Sequence, residues 1–231
     1  MRDRAEGVLV VLAAPSGAGK TTIAQALVER EEDFVFSVSA TTRPPRGGEE
    51  DGKDYLFVSG SEFREMVAKG EFAEWAEVHG ELYGTPRKSL SRERSLGHNV
   101  VLDIDVQGAR QIREAVPEAL LLFILPPSIE VLFGRLIGRG SDGEEAIRRR
   151  LNTALEELQT TEDFDFIVIN DDLEGAISEV RDLVRTGSPP SGKSSGGKRS
   201  GGKSSGKMED VRKLRRDVAA LLERKRLLKA P

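Results

Sequence analysis

Residues 7–32 read GVLVVLAAPSGAGKTTIAQALVEREE, and the order of the parts in this stretch decides the fold. The apolar run at 7–14, rich in β-branched residues, is that of a strand buried on both faces. A glycine loop follows, and then TTIAQALVEREE, whose apolar positions recur at helical spacing. Strand, glycine loop and helix in that order are the context a phosphate-binding loop requires. Gly17 and Gly19 let the backbone curl so that successive N–H groups point at phosphate oxygens, and the helix start adds a favourable dipole. Lys20 stands where it reaches terminal phosphates, and Thr21 where its hydroxyl reaches a bound Mg2+. Ala14 takes the place of the first glycine of the strict pattern, a mild departure.

Downstream, FVFSVSA (34–40) alternates as one strand and gives way to TTRPPRGGEEDGKDY, which Pro44, Pro45, Gly47 and Gly48 keep irregular. YLFV (55–58) is a further short strand. Ser61 and Glu65, with Phe63, Met66 and Val67, predict a short amphipathic helix stopped by Gly70. EFAEWAEVHGELYG (71–84) alternates around a glycine, as a hairpin does. From residue 99 strands alternate with helices, and two of the strands are solidly apolar, the mark of a parallel sheet covered on both faces. The segment at about 34–97 interrupts this alternation and reads as an inserted substrate lobe. VLDIDV puts Asp103 and Asp105 on one face of a strand, near the carboxyl edge where such sheets bind ligands.

The 231 residues carry no cysteine, which excludes disulfides, thiolate metal sites and cysteine nucleophiles, and fits a cytoplasmic setting. LLLFIL (120–125) is the longest apolar block and falls far short of the roughly 18–20 residues of a membrane span. His79 and His98 lack metal-ligand companions and read as surface residues, and Trp75 is expected to pack beneath the lobe. Net charge is −4, but residues 187–231 carry 13 Lys/Arg against 4 Asp/Glu, leaving 22 against 35 for residues 1–186. The tract TGSPPSGKSSGGKRSGGKSSGK after Arg185 cannot bury a core and reads as a linker over 187–207. Residues 208–231 form a basic amphipathic helix with Val211, Leu214, Val218, Leu221 and Leu228 on its stripe. That stripe can dock on its own domain or on a second subunit, and the positive charge can meet a polyanion.

The blocks PSGAGKTT, FSVSATTRPPRGGEEDGKDYLFV, EFAEWAEVHGELYGTP, VVLDIDVQGA, LIGRGSDGEEAIRRRL and IVINDDL resemble those of the guanylate kinases, in that family's order and over residues 7–185. The resemblance implies an α/β fold: a P-loop NTPase core whose parallel sheet is flanked by helices, an inserted mixed or antiparallel GMP-binding lobe and a helical lid. Within a 1–186 domain, the core would cover about 1–33, 98–134 and 161–186, the lobe about 34–97 and the lid about 135–160. It also implies transfer of the γ-phosphoryl group of ATP to GMP with Mg2+. ATP would be held by Ala14, Pro15, Ser16, Gly17, Ala18, Gly19, Lys20, Thr21 and Thr22, with Asn170 near the adenine. Thr21 would bind Mg2+ directly, and Asp103 would stand nearby, acting through water.

Guanine presents two adjacent donors, N1–H and the 2-amino group, which one carboxylate can accept together, and an O6 acceptor that needs a donor. By resemblance Glu74 is that carboxylate, Asp105 supports the base edge, and Ser39 and Thr85 supply hydroxyls; the family often has serine at the place of Thr85. Arg43, Arg46, Tyr55 and Tyr83 would hold the GMP phosphate, the two guanidiniums as forked donors. Lys20, Arg43, Asp103 and the lid arginines Arg135, Arg139 and Arg150 are the expected catalytic set, with Gly138, Gly140 and Gly143 as hinges. Two other readings are a kinase for another nucleoside monophosphate such as AMP, and a guanylate-kinase-like binding module without catalysis. The intact Lys20, Thr21, Glu74 and lid arginines argue against the binding module.

Overall fold

In a computed structural model of the chain, residues 6–78, 80–137, 144–186 and 205–227 are described. The opening apolar run forms β1 (Leu9–Ala13) and the glycine loop leads into α1 (Lys20–Arg30). Then come β2 (Phe34–Phe36), β3 (Ser39–Thr41), β4 (Tyr55–Phe57), α2 (Gly60–Ala68), β5 (Phe72–Val78), β6 (Glu81–Pro86) and α3 (Arg87–Ser95). The remainder runs β7 (Asn99–Asp103), α4 (Val106–Ala115), β8 (Leu120–Leu125), α5 (Ile129–Ile137), α6 (Glu144–Gln159), a 3-10 turn at Thr161–Asp163, β9 (Phe166–Ile169), α7 (Leu173–Thr186) and α8 (Ser205–Leu227). None of these helices is long and apolar enough to cross a membrane.

A five-stranded sheet takes the order β2-β7-β1-β8-β9, and a second, mixed sheet the order β4-β3-β6-β5. β2 runs parallel to β7 and β9 parallel to β8, with Phe34 opposite Asn99 and Phe166 opposite Leu122. β1 is buried at every position, as a central strand with both faces covered must be. The expected α/β architecture with a parallel sheet and a second mixed sheet is therefore present. The chain gathers into two compact units, Met1–Val11 with Val28–Leu120 and Leu12–Leu27 with Leu121–Pro231.

In the first unit the second sheet buries Ala40, Phe63 and Phe72, with Phe63 and Phe72 stacked at 4.5 Å. Phe63 sits on α2, which opens with a capping box: Ser59 accepts from the N–H of Glu62, and the Glu62 carboxylate accepts from the N–H of Ser59. Ser59 and Glu62 stand three residues apart, the spacing a capping box requires. β5 is an edge strand, and α4 packs against it. There Gln111 takes both backbone groups of Trp75, accepting from its N–H and donating to its carbonyl at 3.0 Å each. The Trp75 side chain is not tucked beneath the lobe; it stays 40% exposed, with an edge turned to Phe63.

Two strand expectations change in the structure. The run 34–40 is two strands, β2 in the five-stranded sheet and β3 in the mixed one, because the chain leaves the first sheet after Phe36. The strand holding Asp103 stops there, and Asp105 caps α4, its Oδ1 accepting from the N–H groups of Gln107 (3.0 Å) and Gly108 (2.8 Å). A short carboxylate before a helix satisfies otherwise orphaned N–H groups, and that demand ends the strand before Asp105.

In the second unit α1 buries Ile23, Ala24, Ala26 and Leu27, and α7 buries Ala176, Ile177, Val180, Leu183 and Val184 at helical spacing. α8 packs against α6 and α5 through Val211, Leu214 and Val218, which are all buried. Lys207 at its start donates to the carbonyl of Ile167 at 2.7 Å and pairs with Glu179. Arg139, Gly138, Gly140, Gly143, His79, Leu228 and most of the Ser/Gly/Lys tract lie outside the described residues.

Candidate nucleotide sites

The phosphate loop belongs to the second unit. Its backbone turns at Gly17 (φ 89°) and Gly19 (φ 94°), a region that side-chain-bearing residues avoid. The turn is closed by the Ala18 N–H on the Pro15 carbonyl at 3.0 Å. Ala14, Pro15 and Ala18 are buried, Ser16, Gly17, Gly19 and Lys20 half-buried, and Thr21 and Thr22 exposed. Lys20 is the first residue of α1, whose first turn carries no acidic residue, so the positive end of the helix is left for an anion.

Two side chains brace this loop from behind. Asn170 leaves the end of β9, where its N–H bonds the Leu125 carbonyl at 2.7 Å, and its Nδ2 donates to the Ala18 carbonyl at 2.8 Å. It is only 4% exposed, so this buried amide is committed to the loop backbone. Arg135, on α5, donates to the same carbonyl through Nη1 at 3.3 Å. Arg150 stands half-buried on α6.

The second group of residues belongs to the first unit. Glu74 on β5 faces Thr85 on β6 in antiparallel register, and Thr85 Oγ1 donates to Glu74 Oε1 at 2.5 Å. Both are buried, at 7% and 1% exposure. Burial holds the Glu74 carboxyl above the usual carboxylate range; the Thr85 hydroxyl works against that rise, and the charge of Asp105 adds to it. A methyl group at Gly108 would stand 3.2 Å from Glu74 Oε2 and 3.1 Å from the Ile104 side chain, so the first turn of α4 lies close against this carboxylate.

Beside this pair lies an arginine loop. Ser39 on β3 pairs with Tyr55 on β4, and the Tyr55 and Tyr83 rings meet edge to face at 6.1 Å. The Arg43 guanidinium lies 5.3 Å from the Tyr55 ring centre. It is gripped by Glu49, with Nη1 to Oε2 at 3.0 Å and Nη2 to Oε1 at 2.9 Å. Hydrogen bonding to Arg43, then to the Arg46 N–H, holds the Glu49 carboxyl below its ordinary range. The Arg46 side chain is exposed, and Asp103 ends β7 half-buried.

Of the predicted acceptor-side residues, Glu74, Thr85 and Asp105 form one cluster, and Arg43, Tyr55 and Tyr83 another. Sequence reasoning missed Glu49, Gly108 and Gln111. Glu49 had one local signal, its spacing of three from Arg46 in RGGE; Gly108 and Gln111 had none outside the packing of α4 on β5.

The family model for guanylate kinase matches residues 6–187. Similar proteins include the guanylate kinase of Nostoc sp., 52% identical over 174 residues (75% of this chain and 87% of that protein). The guanylate kinase of Dechloromonas aromatica is 50% identical over 179 residues, 78% of this chain and 89% of that one. Among solved structures, the guanylate kinase from Anaplasma phagocytophilum superposes with a TM-score of 0.59 at 37% identity, covering 78% of this chain and 86% of its own.

Proposed function

The chain belongs to the guanylate kinase family, and from that premise we propose how its own residues serve the transfer of the γ-phosphoryl group of ATP to GMP, giving ADP and GDP. The observation that carries the acceptor is the buried Glu74 held by Thr85. A carboxylate has lone pairs for several donors, so Glu74 can accept the Thr85 hydroxyl together with guanine N1–H and the 2-amino group. Adenine offers no such pair of donors to it. Asp105, already spent on the α4 cap through one oxygen, supports that edge with the other; Ser39 gives its hydroxyl to O6, and Thr85, whose one O–H is donated to Glu74, orients that carboxylate. Arg43, Arg46, Tyr55 and Tyr83 take the GMP phosphate.

On the donor side the loop from Ala14 to Thr22 receives the ATP phosphates. Asn170 and Arg135 support it by holding the Ala18 carbonyl away from the ligand face, which leaves N–H groups for phosphate oxygens. The adenine-side placement of Asn170 is part of the same proposal. Phosphoryl transfer spreads charge over equatorial oxygens, and its catalysis is positioning and electrostatic stabilisation. Lys20, Arg43, Arg135, Arg139 and Arg150 are the cations for that charge. The division into core, lobe at about 34–97 and lid at about 135–160, and a cytoplasmic setting, belong to this reading.

The residues fit Mg2+ brought with the nucleotide. Thr21 stands exposed in the first turn of α1, directly after the glycine loop, and Asp103 ends β7, an oxygen-donor set of the kind a hard cation takes. Thr21 would give a hydroxyl ligand, with Asp103 acting through water. Bound Mg2+ would neutralise the developing phosphate charge.

A coupled assay of ADP formation with GMP, AMP and UMP as acceptors tests the reading. We expect turnover with GMP, a loss of at least about a hundredfold in Lys20→Ala, and an eroded preference for GMP in Glu74→Gln. Folded, Mg2+-supplied protein that turns over no acceptor sinks it.

A further inference from the structure

We infer that Glu49 is a positioning residue for the GMP phosphate, its carboxylate setting both the guanidinium of Arg43 and the backbone of Arg46. This rests on reading the first unit's cluster as the GMP side of the kinase. An arginine side chain carries five N–H donors. In Arg43, Nη1 donates to the Pro44 carbonyl (2.8 Å) and to Glu49 Oε2 (3.0 Å), while Nη2 donates to Glu49 Oε1 (2.9 Å). This pairing at the tip fixes the plane of the guanidinium as well as its position. These bonds use neither the Nε–H nor the second Nη2–H, which share the neighbouring edge and would meet a phosphate together with Tyr83. Tyr83 also bears on this guanidinium, and the Tyr55 ring lies beside it.

The same carboxylate reaches the second arginine. Glu49 Oε2 accepts from the Arg46 N–H at 2.6 Å, and the Glu49 N–H returns to the Arg46 carbonyl at 3.1 Å, closing the turn at 46–49. The Arg43 and Glu49 side chains are only 12% and 22% exposed, so the pair is more than a solvent-facing contact that water would loosen. By contrast, the neighbouring Glu50 is 67% exposed and pairs with Lys53 at 3.4 Å. A carboxylate here also repels a dianion, so the sign of the effect on its removal decides between positioning and competition.

The test is binding of GMP and of guanosine to the full chain by calorimetry, with steady-state kinetics alongside. Glu49→Gln should weaken GMP binding about tenfold, while guanosine, which has no phosphate, stays within about twofold. KM for GMP should rise with it and kcat should fall, because Arg43 is also one of the cations of the transfer, while KM for ATP should change by less than about twofold. Glu49→Asp should recover part of the loss. In Arg43→Met, adding Glu49→Gln should cost little more, because the two act as one unit. Tighter GMP binding in Glu49→Gln would show competition and overturn the inference. Equal losses for GMP and guanosine would reduce Glu49 to a fold-keeping role and overturn it too, as would no change at all. Wild-type protein that binds no GMP would instead sink the kinase reading itself.

Discussion

At Glu74 the proposed guanine-reading role and the cost of burial pull in opposite directions. Accepting two guanine donors needs the ionised carboxylate, yet burial and the Asp105 charge raise its pKa above the ordinary value of about 4.3. The folded protein therefore keeps this proton to higher pH than the unfolded chain does. The group favours the fold below the unfolded carboxylate pKa, and that contribution is lost as pH rises through the folded pKa. GMP binding runs the other way: the dissociation constant should rise as pH falls through the raised pKa of Glu74, while Glu74→Gln should bind weakly with that limb absent. Calorimetric titrations from the ordinary carboxylate range upward measure this, and an identical limb in Glu74→Gln would assign the titration elsewhere. Glu74 was legible in the sequence because its block is specific. Glu49 was not, since in GGEED three acids look alike and only the fold gives one of them an arginine fork.

Among the elements, the strand, glycine turn and helix at the start of the chain were legible, because they are local and contiguous. The support of that turn was not: Asn170 arrives from β9, far along the chain, to hold the Ala18 carbonyl. Gly19 shows the closeness of that fit, since a Cβ there would lie 2.3 Å from Asn170 Nδ2 at a φ of 94°. Gly19→Ala should therefore break the Asn170 bond, cost about 1–3 kcal/mol in stability and weaken ATP binding at least about tenfold. Thermal unfolding and nucleotide titration check the two halves, and an unchanged ATP affinity would contradict the supporting role. The two errors of strand reading share a cause. Alternation at 34–40 and at 101–106 continues across points where the chain changes sheet or begins a helix, and a local pattern carries no mark of the partner.

For the whole molecule the C-terminal helix is the part that family resemblance did not reach. Its apolar stripe is used within its own unit, where Val211, Leu214 and Val218 are buried and α8 lies on α6 and α5. Arg212 and Arg216 stay exposed and pair with Glu209 at 3.6 and 3.2 Å. Leu214→Ala should lower stability by about 2–3 kcal/mol, read from denaturant midpoints, whereas Arg212→Ala should stay within about 0.5 kcal/mol. Equal, negligible effects would mean that α8 is undocked in solution. By itself the sequence determined the α/β class, the glycine loop between strand and helix, and the family, because these are written in contiguous motifs. Only the tertiary structure decided that Asp105 caps a helix, that Asn170 braces the loop, that Glu49 grips Arg43 and where α8 docks. Each of these depends on groups brought together by packing and hydrogen bonding, and residue order alone does not specify that company.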